Sequence, residues 1–323
     1  MASHAIQGAH SFLFRLFFLH SDLGVRVFFI ISGFLITSLL LQERAEAGRI
    51  SLRLFYIRRT LRILPAFCLF VGAVASLNAF GIIQVPPGNW VYALTYTMNF
   101  DPHPPWVLGH LWSLSVEEQF YLLWPLVMRF ARPSVWTGVA TVSVFAGIAS
   151  AHLIDPALHY AFPFVCGPLA MGCILAIQAP VVGRFIASSK FLSGDRFFLC
   201  AVPVIALLDT PDFGTANRFI GLATNSLVTL CVARLVFKPT GVVAQVLNWS
   251  PMVRLGKLSY SLYLFQQLFL DSMSAAPILI PFPFNLAAAL AAGICCYALV
   301  EVPMQGLRSR FRKRPGDKIV RPT

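Results

Sequence analysis

Charged residues are scarce in this chain: Asp, Glu, Lys and Arg together make up only 12% of its 323 residues, whereas hydrophobic residues make up 57%. Soluble globular domains typically contain about 25% charged residues. This scarcity excludes an ordinary soluble domain. The composition instead indicates a protein that crosses a membrane several times.

Paired cysteine spacings are also missing. The seven cysteines include one adjacent pair, Cys295 and Cys296, and the others lie singly within or beside apolar stretches. None of the spacings is typical of a zinc site, so we expect no metal, and we interpret these side chains as buried free thiols. Acidic residues are few as well, which leaves a net charge of +12.

Uncharged stretches long enough for a membrane helix recur along the chain. They predict an all-α polytopic membrane protein with nine transmembrane helices. The predicted spans are 24–42, 63–83, 112–131, 135–154, 158–178, 197–209, 219–237, 258–273 and 284–300, of which 197–209 is the shortest. We expect one membrane domain over residues 1–305 and a basic tail over residues 306–323.

The basic residues predict the orientation of these spans. If successive spans alternate in direction, all of the 25 Lys and Arg residues except Arg15, Arg26 and Arg218 fall on one side of the membrane. Basic residues accumulate on the cytoplasmic side of membrane proteins. We therefore expect the tail to lie in the cytoplasm and the protein to lie in the inner (plasma) membrane. The positive charge then serves membrane topology, and we expect no nucleic-acid partner.

Residues 112–131 carry the first group of candidate site residues. Ser113, Glu117, Tyr121 and Trp124 are three or four residues apart and share one helical face, whereas Glu118 is turned by about 100°. A carboxylate here could orient a histidine, bind a sugar hydroxyl or carry a proton. The alternative interpretation is a helix cap at the membrane surface, because acidic groups stabilise a helix N-terminus.

A second group is the arginine cluster Arg58, Arg59 and Arg62, at the border of the second predicted span. Guanidinium groups bind phosphate through two parallel hydrogen bonds, so the cluster could hold a phosphorylated ligand. The alternative is a topology anchor that faces anionic lipid. Small residues form a third group, for which we expect close contacts between helices: Ser32, Gly33, Gly138, Gly167 and Gly172.

Three segments together resemble the acyltransferase-3 family of integral-membrane O-acyltransferases. They are Gly24–Thr37 with its FFIISGFLIT run, Arg58–Pro65 with the pattern RR-x-x-RI-x-P, and Trp112–Pro125 with WSL-x-VEEQFY. The resemblance extends from Ser3 to Pro303. It implies an enzyme that transfers an acyl group, with acetyl the first expectation, from cytoplasmic acyl-CoA. The acceptor would be a hydroxyl of a cell-surface or exported carbohydrate, or of a lipid-linked glycan.

The resemblance also implies roles for single residues. The three arginines would hold acyl-CoA, His4 would act as general base or transient acyl carrier, and Glu117, or else Glu118, would orient it. His10 and His20 remain alternatives to His4. Many relatives have a histidine where Gln266 stands, and glutamine can bind a substrate but cannot act as a base. The expected substrate-binding residues are His110, Trp112, Ser113, Tyr121, Tyr260 and Gln266.

One departure from the family pattern concerns the start of the chain. Members usually have one further helix before Gly24 and an arginine upstream of the histidine, a position that would precede Met1. We therefore expect about ten spans in a complete member, and weak activity from the chain as it stands. A secondary transporter, which typically shows inverted repeats not found here, and a non-catalytic membrane scaffold remain the alternatives. The oligomeric state stays open.

Overall fold

The computed structural model describes residues 21–149, 165–209, 218–270 and 283–311, and within these ranges the chain is helical and has no strand. This confirms the all-α expectation. The helices are α1 (Ser21–Ala47), α2 (Leu52–Ala79), α3 (Pro87–Leu94), α4 (Trp106–Gly109), α5 (Leu111–Phe130), α6 (Pro133–Ala149), α7 (Gly167–Ile177), α8 (Ala179–Ser188), α9 (Arg196–Leu208), α10 (Arg218–Phe237), α11 (Val242–Leu247), α12 (Ser250–Phe265), α13 (Phe284–Cys296) and α14 (Val302–Ser309). Short 3-10 turns cover Met98–Phe100 and Gln266–Leu268, and a π-helical turn, Tyr297–Glu301, joins α13 to α14.

Four helical segments in the described ranges are long and apolar enough to cross a membrane: Asp22–Ala47, Leu52–Ala79, Phe219–Phe237 and Phe284–Ser309. Helices α7 and α8 add a fifth if this pair, bent by 80°, is one broken span. The described residues therefore contain four or five candidate spans, fewer than the nine predicted. The polar run Glu117–Gln119 lowers the hydropathy of α5, and α6 and α9 are short. The expected spans 135–154, 158–178 and 258–273 extend beyond the described residues.

The flanks of the bundle are apolar, as lipid requires. Large hydrophobic side chains on the long helices remain exposed, among them Leu35, Leu39, Leu69 and Leu122. A water-soluble protein rarely exposes contiguous apolar surface on this scale. Together with the apolar helices, this surface indicates a membrane protein.

Two glycines let α1 and α7 meet closely at the centre of the bundle. A Cβ atom at Gly33 would lie 2.0 Å from the carbonyl oxygen of Leu169, and one at Gly172 would lie 2.1 Å from that of Ile30. The predicted close contact is thus confirmed for these two residues. It is wrong for Gly138 and Gly167, where an added Cβ would meet nothing within 4 Å, because neither glycine faces a neighbouring backbone.

Hydrogen bonds from arginine side chains to backbone carbonyls hold several helix ends together on one side of the bundle. Arg44, near the end of α1, donates to the carbonyl oxygen of Met128 near the end of α5 at 3.1 Å. Arg58, near the start of α2, donates to the carbonyl oxygen of Phe311 after α14 at 3.4 Å. These contacts bring together the ends of α1, α5 and α14 and the start of α2. The distribution of basic residues predicts that this side of the bundle faces the cytoplasm, and the orientation stays a prediction.

Candidate functional site

Glu117 is the most deeply buried carboxylate among the predicted site residues, with only 3% of its surface exposed. Ser113, Tyr121 and Trp124, on the same face of α5, are buried as well, so the predicted stripe is confirmed. The indole N–H of Trp124 donates to the hydroxyl of Thr37 on α1 at 2.8 Å, which fixes this face of α5 against α1. Because Glu117 is buried and lies well inside α5, which begins at Leu111, the interpretation as a helix cap at the membrane surface is wrong.

The Glu117 carboxylate contacts two other helices. The hydroxyl of Ser32 on α1 donates to Oε1, and Nη2 of Arg59 on α2 lies 3.3 Å from the same oxygen. The Tyr121 hydroxyl is 2.9 Å from Ser32 Oγ, and its ring centre lies 3.5 Å from the Arg59 guanidinium carbon. We call Ser32, Arg59, Glu117 and Tyr121 the buried cluster. It joins α1, α2 and α5 through one ion pair and its hydrogen bonds.

Glu118 faces away from Ser32, as the helical geometry predicts. One of its carboxylate oxygens is buried and has no hydrogen-bond partner among the described residues. Tyr96, in the turn after α3, is near enough to sense this carboxylate: burial first, and the negative charge of Glu118 second, raise the pKa of Tyr96 well above its ordinary value. The contacts thus place Glu117, and not Glu118, in the buried cluster.

The three arginines of the second motif diverge. Arg58 forms an ion pair with Glu43 at 3.0 Å and bonds the Phe311 carbonyl, so it ties α1 and α2 to the end of α14. Arg59 turns inward to the buried cluster. Arg62 instead lines a cavity. Of the three, Arg62 alone has the position expected of a ligand-binding group.

A cavity of about 310 Å³ opens beside Arg62, between α2, α12 and α14. We call it the Arg62 cavity. Three cationic residues and one acidic residue line it, so positive charge prevails. The charged and polar lining residues are Arg62, Lys257, Ser259, Tyr260, Glu301, Gln305 and Arg308.

His110 directly precedes α5 and is held through both of its ring nitrogens. Nδ1 lies 2.6 Å from Gln267 Oε1, and Nε2 lies 3.1 Å from the carbonyl oxygen of Leu264. The Tyr263 hydroxyl donates to the His110 carbonyl and is 2.5 Å from Ser113 Oγ. These contacts make His110 and Ser113 ties between α5 and α12. Binding of substrate by either residue stays a prediction.

The remaining predicted substrate residues lie apart from one another. The Trp112 ring packs edge-on against Phe29 at 6.2 Å. The Tyr260 hydroxyl donates to the carbonyl oxygen of Ile63 at 2.9 Å, so Tyr260 braces α12 against α2 beside the Arg62 cavity. Gln266 is buried in the 3-10 turn after α12. These positions bring Tyr260 to the cavity and leave the other two elsewhere.

Comparison with known proteins decides the family. A family model described as an acyltransferase domain matches residues 1–301. The chain belongs to the acyltransferase-3 family. It is similar to O-acetyltransferase OatA of Staphylococcus aureus strain NCTC 8325 / PS 47, with 30% identity over 322 aligned positions, which cover 88% of this chain and 52% of the relative. OatA of strain COL matches to the same extent. The chain thus spans about half the length of the curated relatives it matches, and no solved structure matches it.

The sequence predicted the family correctly, but it did not indicate that Ser32 belongs to the buried cluster. Ser32 was expected only to pack helices, although a hydroxyl in the middle of an apolar span needs a hydrogen-bond partner. That need was the available signal. The candidate bases His4, His10 and His20 lie outside the described residues. In the part of the chain that the structure describes, His, Cys, Asp and Glu form no group that could hold a metal ion.

Proposed function

We propose that this chain is a membrane O-acyltransferase that moves an acyl group, in the simplest case acetyl, from acyl-CoA to a hydroxyl of a carbohydrate. Family membership and the name O-acetyltransferase carried by its relatives support this reaction class. The observation that carries the proposal is a pair of adjacent polar features within an apolar bundle. The buried cluster and the Arg62 cavity adjoin, because Arg59 and Arg62 lie one turn apart on α2.

The charges in the buried cluster support a catalytic role over a non-catalytic scaffold. Ionised groups inside a membrane bundle are expensive, and they are retained mostly where they serve function. The ion pair between Arg59 and Glu117 is replaceable, in purely structural terms, by apolar side chains of similar volume. A scaffold would therefore gain little from keeping it.

We further propose that the membrane domain has the nine expected spans and that the Arg62 end faces the cytoplasm, where acyl-CoA is available. The short apolar helices α6 and α9 support the higher count, since each lies at a predicted span. The gathering of Arg44 and Arg58 with the ends of α5 and α14 supports the orientation. The protein would then lie in the plasma membrane, with a cytoplasmic donor site and an acceptor glycan at or beyond the outer face.

In this scheme the acceptor oxygen attacks the thioester carbon, the carbon–sulfur bond breaks, and CoA leaves as thiolate. His4 takes the proton from the acceptor hydroxyl and returns it to the leaving sulfur, or carries the acyl group transiently. Glu117 stabilises the positive charge that His4 gains, and Ser32 and Arg59 hold the Glu117 carboxylate in place. A carboxylate near an imidazolium fulfils this orienting role in other acyl-transfer enzymes.

The test is transfer of label from acetyl-CoA to membrane glycan in membranes that contain the protein. We expect His4→Ala to lower the rate by about 100-fold or more. The matched control is His103→Ala, which removes an exposed histidine of the loop before α4, and it should leave the rate unchanged. Full activity of His4→Ala would move the catalytic role to His10, His20 or His110. Absence of transfer by folded, acetyl-CoA-binding protein would contradict the proposed reaction.

A further inference from the structure

We propose that the Arg62 cavity binds the phosphate groups of the acyl-CoA nucleotide, and that Lys257 and Arg308 are its second and third cationic ligands. This inference rests on the proposed function, because it names the residues that hold the donor. Arg62 comes from α2, Lys257 from α12 and Arg308 from α14, and all three line one cavity. Helices far apart in sequence thus each contribute one cation to the same space.

The chemistry of the lining fits a compact polyanion. Arginine binds phosphate oxygens with a planar two-bond fork, whereas lysine acts as a point charge with three rotatable donors. Coenzyme A carries a pyrophosphate and a 3′-phosphate, and the cavity offers three cations against the single acidic residue Glu301. The side-chain amide of Gln305 on α14 adds a neutral donor to the lining.

The size of the cavity limits which part of the donor it holds. Its volume of about 310 Å³ is at the lower end of the roughly 300–1,000 Å³ found for small-molecule pockets. It therefore suits the phosphorylated end of acyl-CoA and not the whole molecule. The acylated arm would extend past Arg62 towards Arg59, which lies one helical turn nearer the start of α2.

Two side-chain hydrogen bonds brace the walls of the cavity. The hydroxyl of Tyr260 bonds the carbonyl of Ile63, the residue after Arg62, at 2.9 Å. The hydroxyl of Ser261, also on α12, donates to Glu301, which ends the π-helical turn Tyr297–Glu301. Single π-helical turns within helices occur frequently at functional sites. A binding site with walls held in place loses less entropy when its ligand binds.

The same structure withdraws Arg58 and Arg59 from the donor site. Arg58 is engaged by Glu43 and by the Phe311 carbonyl, and Arg59 by Glu117. The cations that line the cavity are Arg62, Lys257 and Arg308. This assignment differs from the three-arginine cluster expected from sequence.

The experiment measures binding of acetyl-CoA to the purified chain in nanodiscs of phosphatidylcholine by titration calorimetry. Lys257→Ala and Arg308→Ala should each weaken binding by roughly 10- to 100-fold, since each removes a charge-assisted hydrogen bond. The matched control is Arg254→Ala, which removes an exposed cation one turn before Lys257 on α12 that does not line the cavity. It should leave the affinity unchanged.

A second ligand locates the phosphate. Acetyl-dephospho-CoA lacks the 3′-phosphate, so it should bind more weakly than acetyl-CoA to the wild-type chain. The difference between the two ligands should shrink in whichever variant has lost the contact to that phosphate. An equal difference in the wild type and both variants would assign the pyrophosphate to the cavity, provided that both variants still bind acetyl-CoA more weakly.

Failure of this inference can be told from failure of the proposed function. If the wild type binds acetyl-CoA and both variants bind it as tightly as Arg254→Ala does, the cavity assignment is overturned and the proposed function stands. If the folded wild type does not bind acetyl-CoA, the proposed function is overturned together with the cavity assignment.

Repeating the titration with phosphatidylglycerol present shows whether the cavity binds the phosphate of acetyl-CoA or that of a lipid headgroup. Variants that lose retained phosphatidylglycerol, but keep acetyl-CoA affinity, would make the cavity a lipid site and overturn the inference. Lys257→Gln and Arg308→Gln, which keep most of the side-chain length, replace any alanine variant that does not fold.

Discussion

Replacement of Glu117 by glutamine isolates the charge in the buried cluster. Glutamine keeps the size of the side chain and can still accept the hydrogen bond from Ser32, but it leaves the Arg59 guanidinium without its counter-ion. Removing one partner of a buried ion pair costs about 3–5 kcal/mol. Arg59 is 18% exposed, and its contact with the Tyr121 ring at 3.5 Å persists, so we expect a loss of about 3 kcal/mol in the free energy of unfolding.

The double variant Arg59→Met, Glu117→Gln tests whether this loss comes from the unpaired charge. Met fills much of the space of Arg without a charge, so the double variant should recover most of the stability that Glu117→Gln loses. Unfolding of the purified chain in detergent micelles, followed by circular dichroism, measures both. Acyl transfer should fall by about 100-fold or more in the single variant and should not recover in the double variant.

Two outcomes would contradict the proposed role of the ion pair between Arg59 and Glu117. An unfolding free energy unchanged by Glu117→Gln would mean that the ion pair does not contribute in the folded protein. A double variant that regains acyl transfer together with stability would show that the cluster serves folding alone.

Two further predictions concern packing and topology. Gly172→Ala should lower the unfolding free energy by about 1–3 kcal/mol, because the new methyl group would collide with the backbone of α1. Gly138→Ala, which has open space around the new methyl group, should leave the unfolding free energy unchanged. Thermal unfolding of the two variants side by side measures the difference. A cysteine placed in loop 84–110 should react with an impermeant thiol reagent in intact cells while one at 45–50 should not, and equal labelling would refute the proposed orientation.

Regular features of the site could be predicted from sequence because they depend on local periodicity. Positions three and four apart in a helix share a face whatever surrounds it, and the burial of Glu117 and Tyr121 on one stripe follows from that geometry. A two-glycine approach such as that of Gly33 and Gly172 is harder, because it needs the facing helix. The sequence shows which glycines lie in apolar spans, and only the packing shows which of them meet a backbone.

The partners of the arginines could not be predicted, because they lie on other helices. Arg58 and Arg59 differ in direction by about 100°, whereas Arg62, four residues after Arg58, lies near the same helical face as Arg58. Which of the three forms an ion pair depends on Glu43 and Glu117 elsewhere in the chain. The same holds for His110, whose ring is bound by Gln267 from a segment 157 residues away. Side chains that looked like one phosphate-binding motif in the sequence therefore serve three different contacts.

The convergence of distant cations at the Arg62 cavity could not be predicted from the sequence either. Sequence analysis assigned Lys257 and Arg308 only to the side of the membrane that carries most basic residues, and it gave neither a part in donor binding. Their convergence with Arg62 depends on how α12 and α14 pack against α2. The predicted topology places both residues on one side of the membrane, and the packing of the helices brings them to the same cavity.

The proposed cytoplasmic donor site can be tested by supplying the donor to one face of the membrane. Acetyl-CoA does not cross a sealed bilayer, so labelled acetyl-CoA can be supplied to one face at a time in inside-out and right-side-out membrane vesicles that contain the protein. We expect label to reach glycan in inside-out vesicles, where acetyl-CoA meets the face that carries Arg62, and we expect right-side-out vesicles to remain unlabelled. Equal labelling in both preparations, or labelling in right-side-out vesicles only, would contradict it.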